Sequence, residues 1–244
     1  MTQPPAPANV IVTRPEPDAS AFATDLRRAG FNAIVSPVLR IAFQGPAPDL
    51  AGVAALAFTS ANGVRAYLKA GGPNAIPAFA VGPTTANAAK EAGFPDVVAA
   101  QGDVGSLAAT IASARIPSGA ILHIAGRHQA DDLAAALKGR GVNARWATLY
   151  TAEAESDLAP AAHQAIVDPD TECWAALFSQ RSAKTFLALV DNAGLSGKLP
   201  AIACACLSDA VATAAGVGWR RRLVASEPSG RSLINAIRAE TGRP

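Results

Sequence analysis

Short apolar runs alternate with longer stretches of helical period along almost the whole chain. The runs are rich in Val, Ile, Ala and Leu and are bounded by turns, the pattern of strands buried on both faces. Candidate strands are 10–13, 33–36, 54–58, 77–81, 96–99, 120–124, 144–149, 173–178, 200–204 and 222–225. Ala-rich helices are predicted between them, starting behind Asp18 or Ser20, Ser60, Thr84, Ser106, Asp131, Ser182, Ser208 and Ser229, residue types that cap helix N-termini. Gly30, Gly93 and Gly141 stand where helices should stop. The alternation predicts an α/β protein whose parallel sheets are covered by helices. Even the longest apolar runs, such as Val53 to Phe58, are strand-length, far short of the roughly 20 residues of a membrane span.

The pattern repeats. VIVTRPEPDASAFATDLRRAGFNA from Val10 parallels ILHIAGRHQADDLAAALKGRGVNA from Ile121, and FTSANGVRAYL from Phe58 parallels FSQRSAKTFLAL from Phe178. FAVGPTTANAAKEAG from Phe79 then matches IACACLSDAVATAAG from Ile202, and VVAAQGDVGSLAATI from Val97 matches LVASEPSGRSLINAI from Leu223. The offset grows from 111 between Gly30 and Gly141 to 126 between Ser106 and Ser232, as an old duplication with small insertions leaves it. A repeat of that length is domain-sized. Two extended stretches, SPVLRIAF from Ser36 and ATLYTAEA from Ala147, occupy equivalent places in the two copies. If they pair, they form a ladder between two domains, with the second inserted into the first; the alternative is two consecutive domains cut near residue 118.

Composition changes little in this picture. The chain has 244 residues, half of them apolar, enough for one large or two modest cores. Its 21 Lys plus Arg against 19 Asp plus Glu do not suggest a nucleic-acid partner, and the cluster Arg220, Arg221, Arg222 reads as a solvated loop. Cys173, Cys204 and Cys206 have no framework spacing and read as small buried hydrophobes. The start, MTQPPAPAN, has neither a basic head nor an apolar stretch, so a cytoplasmic protein is expected.

In open α/β sheets the ligand crevice lies at strand C-termini. Those turns read Thr13-Arg14-Pro15, Thr59-Ser60-Ala61-Asn62-Gly63, Gly82-Pro83-Thr84-Thr85, Gly126-Arg127-His128, Ser179-Gln180-Arg181-Ser182-Ala183 and Cys206-Leu207-Ser208-Asp209. Hydroxyls, glycines and arginines fill them and carboxylates are scarce, a lining suited to a multiply anionic ligand. Capping alone explains any one hydroxyl; recurrence in both copies favours a ligand. Phosphate-loop, dinucleotide and nucleophile-elbow signatures are missing. His123, in a strand, His128, in a loop, and His163, in a polar linker, lack metal-ligand spacing.

Taken together, FTSANGVRAYL, FAVGPTTANAAKEAG, FSQRSAKTFLAL and Tyr150 at a strand end after GRHQADDLAAALKGRGV resemble uroporphyrinogen-III synthases from about residue 10 to 240. The resemblance implies two similar parallel-sheet, flavodoxin-like domains joined by a two-stranded β-ladder and interleaved by the duplication. Domain 1 would comprise 1–36 and 154–244, domain 2 residues 43–146, and the ladder 37–42 and 147–153. It implies a cyclising hydro-lyase that converts hydroxymethylbilane, a linear tetrapyrrole with acetate and propionate arms, into uroporphyrinogen III by inverting the last ring. No cofactor or metal is implied; a monomer is expected. Tyr150 matches the family's tyrosine and is the expected proton donor, or else an aromatic filling the hinge. Thr13, Arg14, Thr59, Ser60, Asn62, Gly82, Thr84, Thr85, Arg127, Ser179, Arg181, Ser182 and Ser208 are the expected substrate-binding positions. Ala205-Cys206-Leu207-Ser208 and Ser179-Gln180-Arg181-Ser182 depart from the family's usual runs, so contacts from that side are expected to differ. A non-catalytic two-domain binding protein for a small anionic ligand is the competing reading, and a glycosyl transferase a weaker one.

Overall fold

The computed structural model describes residues 7–114, 116, 118–127 and 130–242, and of 130–132 the backbone alone. His128 and the side chain of Asp131, both singled out above, lie outside the described residues. The chain folds as two compact units, one made of residues up to Arg40 and from Glu153 onward, the other of Ile41–Ala152.

Unit 1 is built on β1 (Asn9–Val12), β2 (Asn32–Val35), β9 (Cys173–Leu177), β10 (Ala203–Cys206) and β11 (Arg221–Val224), in the order β11-β10-β9-β1-β2. All its pairings are parallel. Alternate side chains feed two cores: Ile11 goes to a cluster under α6 (Pro160–Val167), α7 (Gln180–Asn192) and α8 (Asp209–Ala215), while Val10 and Val12 go to one under α1 (Asp18–Arg28) and α9 (Gly230–Thr241). Burial on both faces is why β1, β9 and β10 read as continuous apolar runs.

Unit 2 holds β4 (Val53–Phe58), β5 (Ala78–Ala80), β6 (Val97–Ala99), β7 (Ala120–Gly126) and β8 (Ala144–Ala154), with β3 (Leu39–Phe43) on the edge, in the order β3-β8-β7-β4-β5-β6. Leu56, Phe58, Leu122 and Ile124 pack on α2 (Ala61–Lys69) and α3 (Pro83–Glu91); Ala55, Ala57 and Ile121 pack on α4 (Val104–Ser113) and α5 (Ala130–Lys138). Gln44 N–H donates to Leu149 and Glu155 N–H to Val38, in opposite senses along the strands, so β3 and β8 run antiparallel. On them the exposed Arg40 pairs with Glu153 at 2.7 Å, an ion pair worth at most about 1 kcal/mol.

The duplicated segments fall on equivalent elements, but the copies have traded halves. Matching β1, β2, β9, β10 and β11 with β7, β8, β4, β5 and β6 makes the two strand orders identical. Leaving aside the edge strand β3, each sheet therefore takes two strands from one copy and three from the other.

Several sequence expectations need correction. His163 lies not in a linker but on α6, which opens with Pro160 at its first turn; its buried face is Ala162, Ala165 and Ile166, too weak an apolar stripe to announce itself. The run 144–154 is one strand. A 3₁₀ turn at Ser196–Ala201 delays β10 to Ala203. Four caps are displaced toward the N-terminus, to Pro17, Gly82, Asp103 and Ser179. Ser106 and Ser182 instead occupy the third helical position and close capping boxes with Asp103 and Ser179, so both ends of such a box look like caps in sequence. Ser60 and Ser229 cap as predicted, with side-chain bonds to the Asn62 and Ser232 N–H groups. Cys173, Cys204 and Cys206 are all free and buried.

Candidate active site

In each unit the connections leave in opposite directions from one pair of central strands, β1 and β9 in unit 1 and β7 and β4 in unit 2. The C-terminal ends of such a pair are where open α/β sheets bind ligands.

In unit 1, Thr13 is fully buried and its hydroxyl donates to the Ala176 carbonyl at 2.6 Å, clasping β1 to β9. Arg14 is half-buried, 3.1 Å from Asp18 and with its guanidinium 4.8 Å from the centre of the Phe178 ring. Phe178 is in turn held edge-on by Phe22. A carboxylate arriving at Arg14 would compete with Asp18 for it. Ser179 and Ser182 are tied to each other, Ser182 N–H donating to Ser179 Oγ at 3.0 Å and Ser179 N–H to Ser182 Oγ at 2.9 Å. Arg181 is half-buried in that first turn. Ser208 precedes α8, but its hydroxyl makes no bond to that helix.

In unit 2, Tyr150 is 4 % exposed. Its phenol oxygen hydrogen-bonds the Ser60 side chain and the backbone of Gly126, above the ends of β4 and β7. Burial raises the phenol pKa above its usual 10.0, with the bonds to Ser60 and Gly126 opposing. A β-bulge aims this side chain. Opposite β7 the register slips between Ala125 and Gly126, which face Thr148 and Tyr150, so Leu149 is an extra residue and both Leu149 and Tyr150 enter the same core cluster. In a regular strand they would point to opposite faces. Sequence alternation has no means of showing this, although Tyr150 itself was among the positions singled out.

The other candidates in unit 2 divide. Arg127 is exposed, and its backbone N–H donates to the Tyr150 carbonyl at 3.0 Å. The Asn62 N–H is taken by Ser60 Oγ at 3.1 Å, while the Asn62 side chain accepts from Arg65. Thr59 points the other way, to the fully buried His123, whose Nε2 lies 3.0 Å from Thr59 Oγ1. Sequence reasoning noted His123 only as a poor metal ligand; its place in an otherwise apolar buried strand was the signal for a buried polar pair. Gly82, Thr84 and Thr85 sit behind β5, Thr84 exposed and Thr85 buried. Helix α3 starts with no side-chain cap, as does α8, its equivalent in the duplication. Both first turns thus keep backbone N–H groups that no capping side chain occupies.

Among the described residues no cluster of three or more His, Cys, Asp or Glu is arranged to hold a metal ion, and no helix is long and apolar enough to cross a membrane.

Comparison with known proteins gives the arrangement a family. Residues 20–235 match the family model described as "Uroporphyrinogen-III synthase HemD". Uroporphyrinogen-III synthetase from Helicobacter pylori superposes with a TM-score of 0.63 at 17 % identity, over 96 % of this chain and 99 % of that one. A mutant uroporphyrinogen III synthase from Thermus thermophilus gives 0.57 at 20 % identity, over 97 % and 100 %. No curated protein matches the chain. The solved structures speak for the fold, and the family model, which spans most of the sequence, for descent: the chain belongs to the uroporphyrinogen-III synthase family.

Proposed function

We propose that this chain cyclises hydroxymethylbilane to uroporphyrinogen III, releasing water and inverting ring D, with no cofactor. The observation that carries the reading, beside family membership, is a buried, protonated phenol at the C-terminal switch point of unit 2, hydrogen-bonded to Ser60 and Gly126.

Loss of hydroxide from the hydroxymethyl carbon of an electron-rich pyrrole leaves an azafulvenium cation. Tyr150, kept protonated by burial, gives its proton to the departing hydroxyl, which leaves as water. The same two bonds that oppose the raised pKa then stabilise the phenolate. The cation is attacked by the substituted carbon of ring D, giving a spiro intermediate that reopens and recloses with the ring inverted. The proton released as the last pyrrole rearomatises returns to the phenolate, so the cycle closes with one water lost. Folding a flexible bilane into one reactive shape supplies part of the rate, at most about 7–11 kcal/mol.

The acetate and propionate arms fall to Arg14, Arg127 and Arg181, and to the backbone and hydroxyls at Thr13, Thr59, Ser60, Asn62, Gly82, Thr84, Thr85, Ser179, Ser182 and Ser208. The uncapped first turns of α3 and α8 favour Thr84, Thr85 and Ser208 as amide donors. Thr13 and Thr59 already spend their hydroxyls on Ala176 and His123 and serve by shaping the turns. The enzyme is read as a cytoplasmic monomer with no nucleic-acid partner, organised as domain 1 (1–36 and 154–244), domain 2 (43–146) and a connecting ladder.

The test is to supply freshly generated hydroxymethylbilane, oxidise the products and resolve porphyrin isomers I and III. Predominant isomer III is expected; isomer I at the spontaneous rate would return the chain to the class of anion-binding proteins.

A further inference from the structure

Resting on the reading of Tyr150 as proton donor, the geometry points to Gly126 as its positioning residue. Gly126 is the last residue of β7 and faces Tyr150 across the bulge. A Cβ built on Gly126 would lie 2.8 Å from both Cε2 and Cζ of the Tyr150 ring and 3.1 Å from its hydroxyl. Ordinary carbon contacts are about 3.5–4.0 Å, so any side chain here pushes the ring away by about 0.7 Å or more. The bulge turns Tyr150 into the core that holds Leu149, and the bare backbone of Gly126 lets the ring settle flat enough for its oxygen to reach the Gly126 backbone and Ser60. The bulge and the glycine together set where the phenol proton is presented.

The test is Gly126→Ala, read in two ways. In the assay kcat is expected to fall about 10- to 100-fold with KM within about threefold, the effect of misplacing a reacting group by about 1 Å. In a Tyr150→Phe background, where no hydroxyl remains to be placed, the same change is expected to alter kcat less than about threefold. The second readout needs no substrate. The chain has two tyrosines, so in a Tyr67→Phe background an ultraviolet titration follows Tyr150 alone, and Gly126→Ala is expected to move its titration further above the ordinary tyrosine value, because the displaced phenol gives up the bonds to Ser60 and Gly126 that oppose the upward shift. Wild-type kcat with an unmoved titration, or equal losses in both backgrounds, would overturn the assignment. Should Gly126→Ala fail to fold, Gly126→Ala with Tyr150→Ala is expected to fold as well as Tyr150→Ala alone; no such rescue would mean that something other than the ring demands glycine. A wild type making only isomer I would sink the catalytic reading, while the titration would still decide the geometry.

Discussion

Tyr150 is pulled two ways, by burial that keeps its proton on and by hydrogen bonds that ease its loss. That balance suits an acid that must give up a proton briefly and take it back. Tyr150→Phe keeps the ring and its packing, so it is expected to lower kcat about 100-fold or more while leaving the thermal midpoint within a few degrees, as measured by the isomer assay beside a melting curve. The two tyrosines also set an alkaline limit on stability. Both Tyr67 and Tyr150 have pKa values raised above 10.0 by burial, so above pH 10 the unfolded chain loses those protons first. Their contribution is complete below pH 10 and disappears as pH rises from there through the folded-state values. Denaturation midpoints from pH 8 to 11 are expected to fall less steeply in a Tyr67→Phe, Tyr150→Phe double variant. Cysteine behaves as an interior residue: burial pushes the Cys173 thiol up to about 12, and Cys204 and Cys206 are fully buried beside each other, sulfurs 3.9 Å apart. Iodoacetamide is expected to leave all three unmodified in the native protein and to label them after denaturation; prompt native labelling would mean that β9 or β10 opens readily.

Strands and caps show how far an amino-acid pattern reaches. The central parallel strands β1, β9, β10, β4 and β7 were legible because both faces of each are apolar, and Ser60 and Ser229 were legible as caps because the hydroxyl stands at the junction itself. Helix α6 was not, its buried face being mostly alanine, and neither was the Leu149 bulge, which depends on the register of β8 against β7 and leaves no mark on residue type. The candidate positions were found through their placement at strand ends; their division into paired and available groups, such as Thr59 turned toward His123, depends on which sheet face each occupies. Packing beneath the site is set by Phe58 at the end of β4, fully buried and edge-on to both Tyr67 and Phe94. Phe58→Ala is expected to cost about 3–5 kcal/mol, measured by urea denaturation, because it empties the centre of that aromatic group. A loss below about 1 kcal/mol would show that Tyr67 and Phe94 close the gap.

For the whole molecule, the duplication was readable as four paired segments, whereas the exchange of halves was one of two readings that the residues left open and that only the family resemblance favoured, because similarity shows which segments correspond and not which of them pair. The exchange makes each copy insufficient. Residues 1–118 contain β1 and β2 of one sheet with β4, β5 and β6 of the other, and residues 119–244 contain the complementary strands. Cutting the chain between Ser118 and Gly119 is therefore expected to give two pieces that acquire native circular dichroism only when mixed, and a stable monomer from either piece alone would contradict the pairing. The arrangement also puts the chain at odds with the direction of its own synthesis. On the ribosome β1 and β2 emerge first, yet β1's other neighbour, β9, begins only at Cys173. At about 5–20 residues per second the opening strands wait roughly 7–30 s, during which the strands of the inserted unit are completed. The last unit to close is the one that was begun first, and its exposed β1–β2 pair is the segment of the nascent chain most in need of a chaperone.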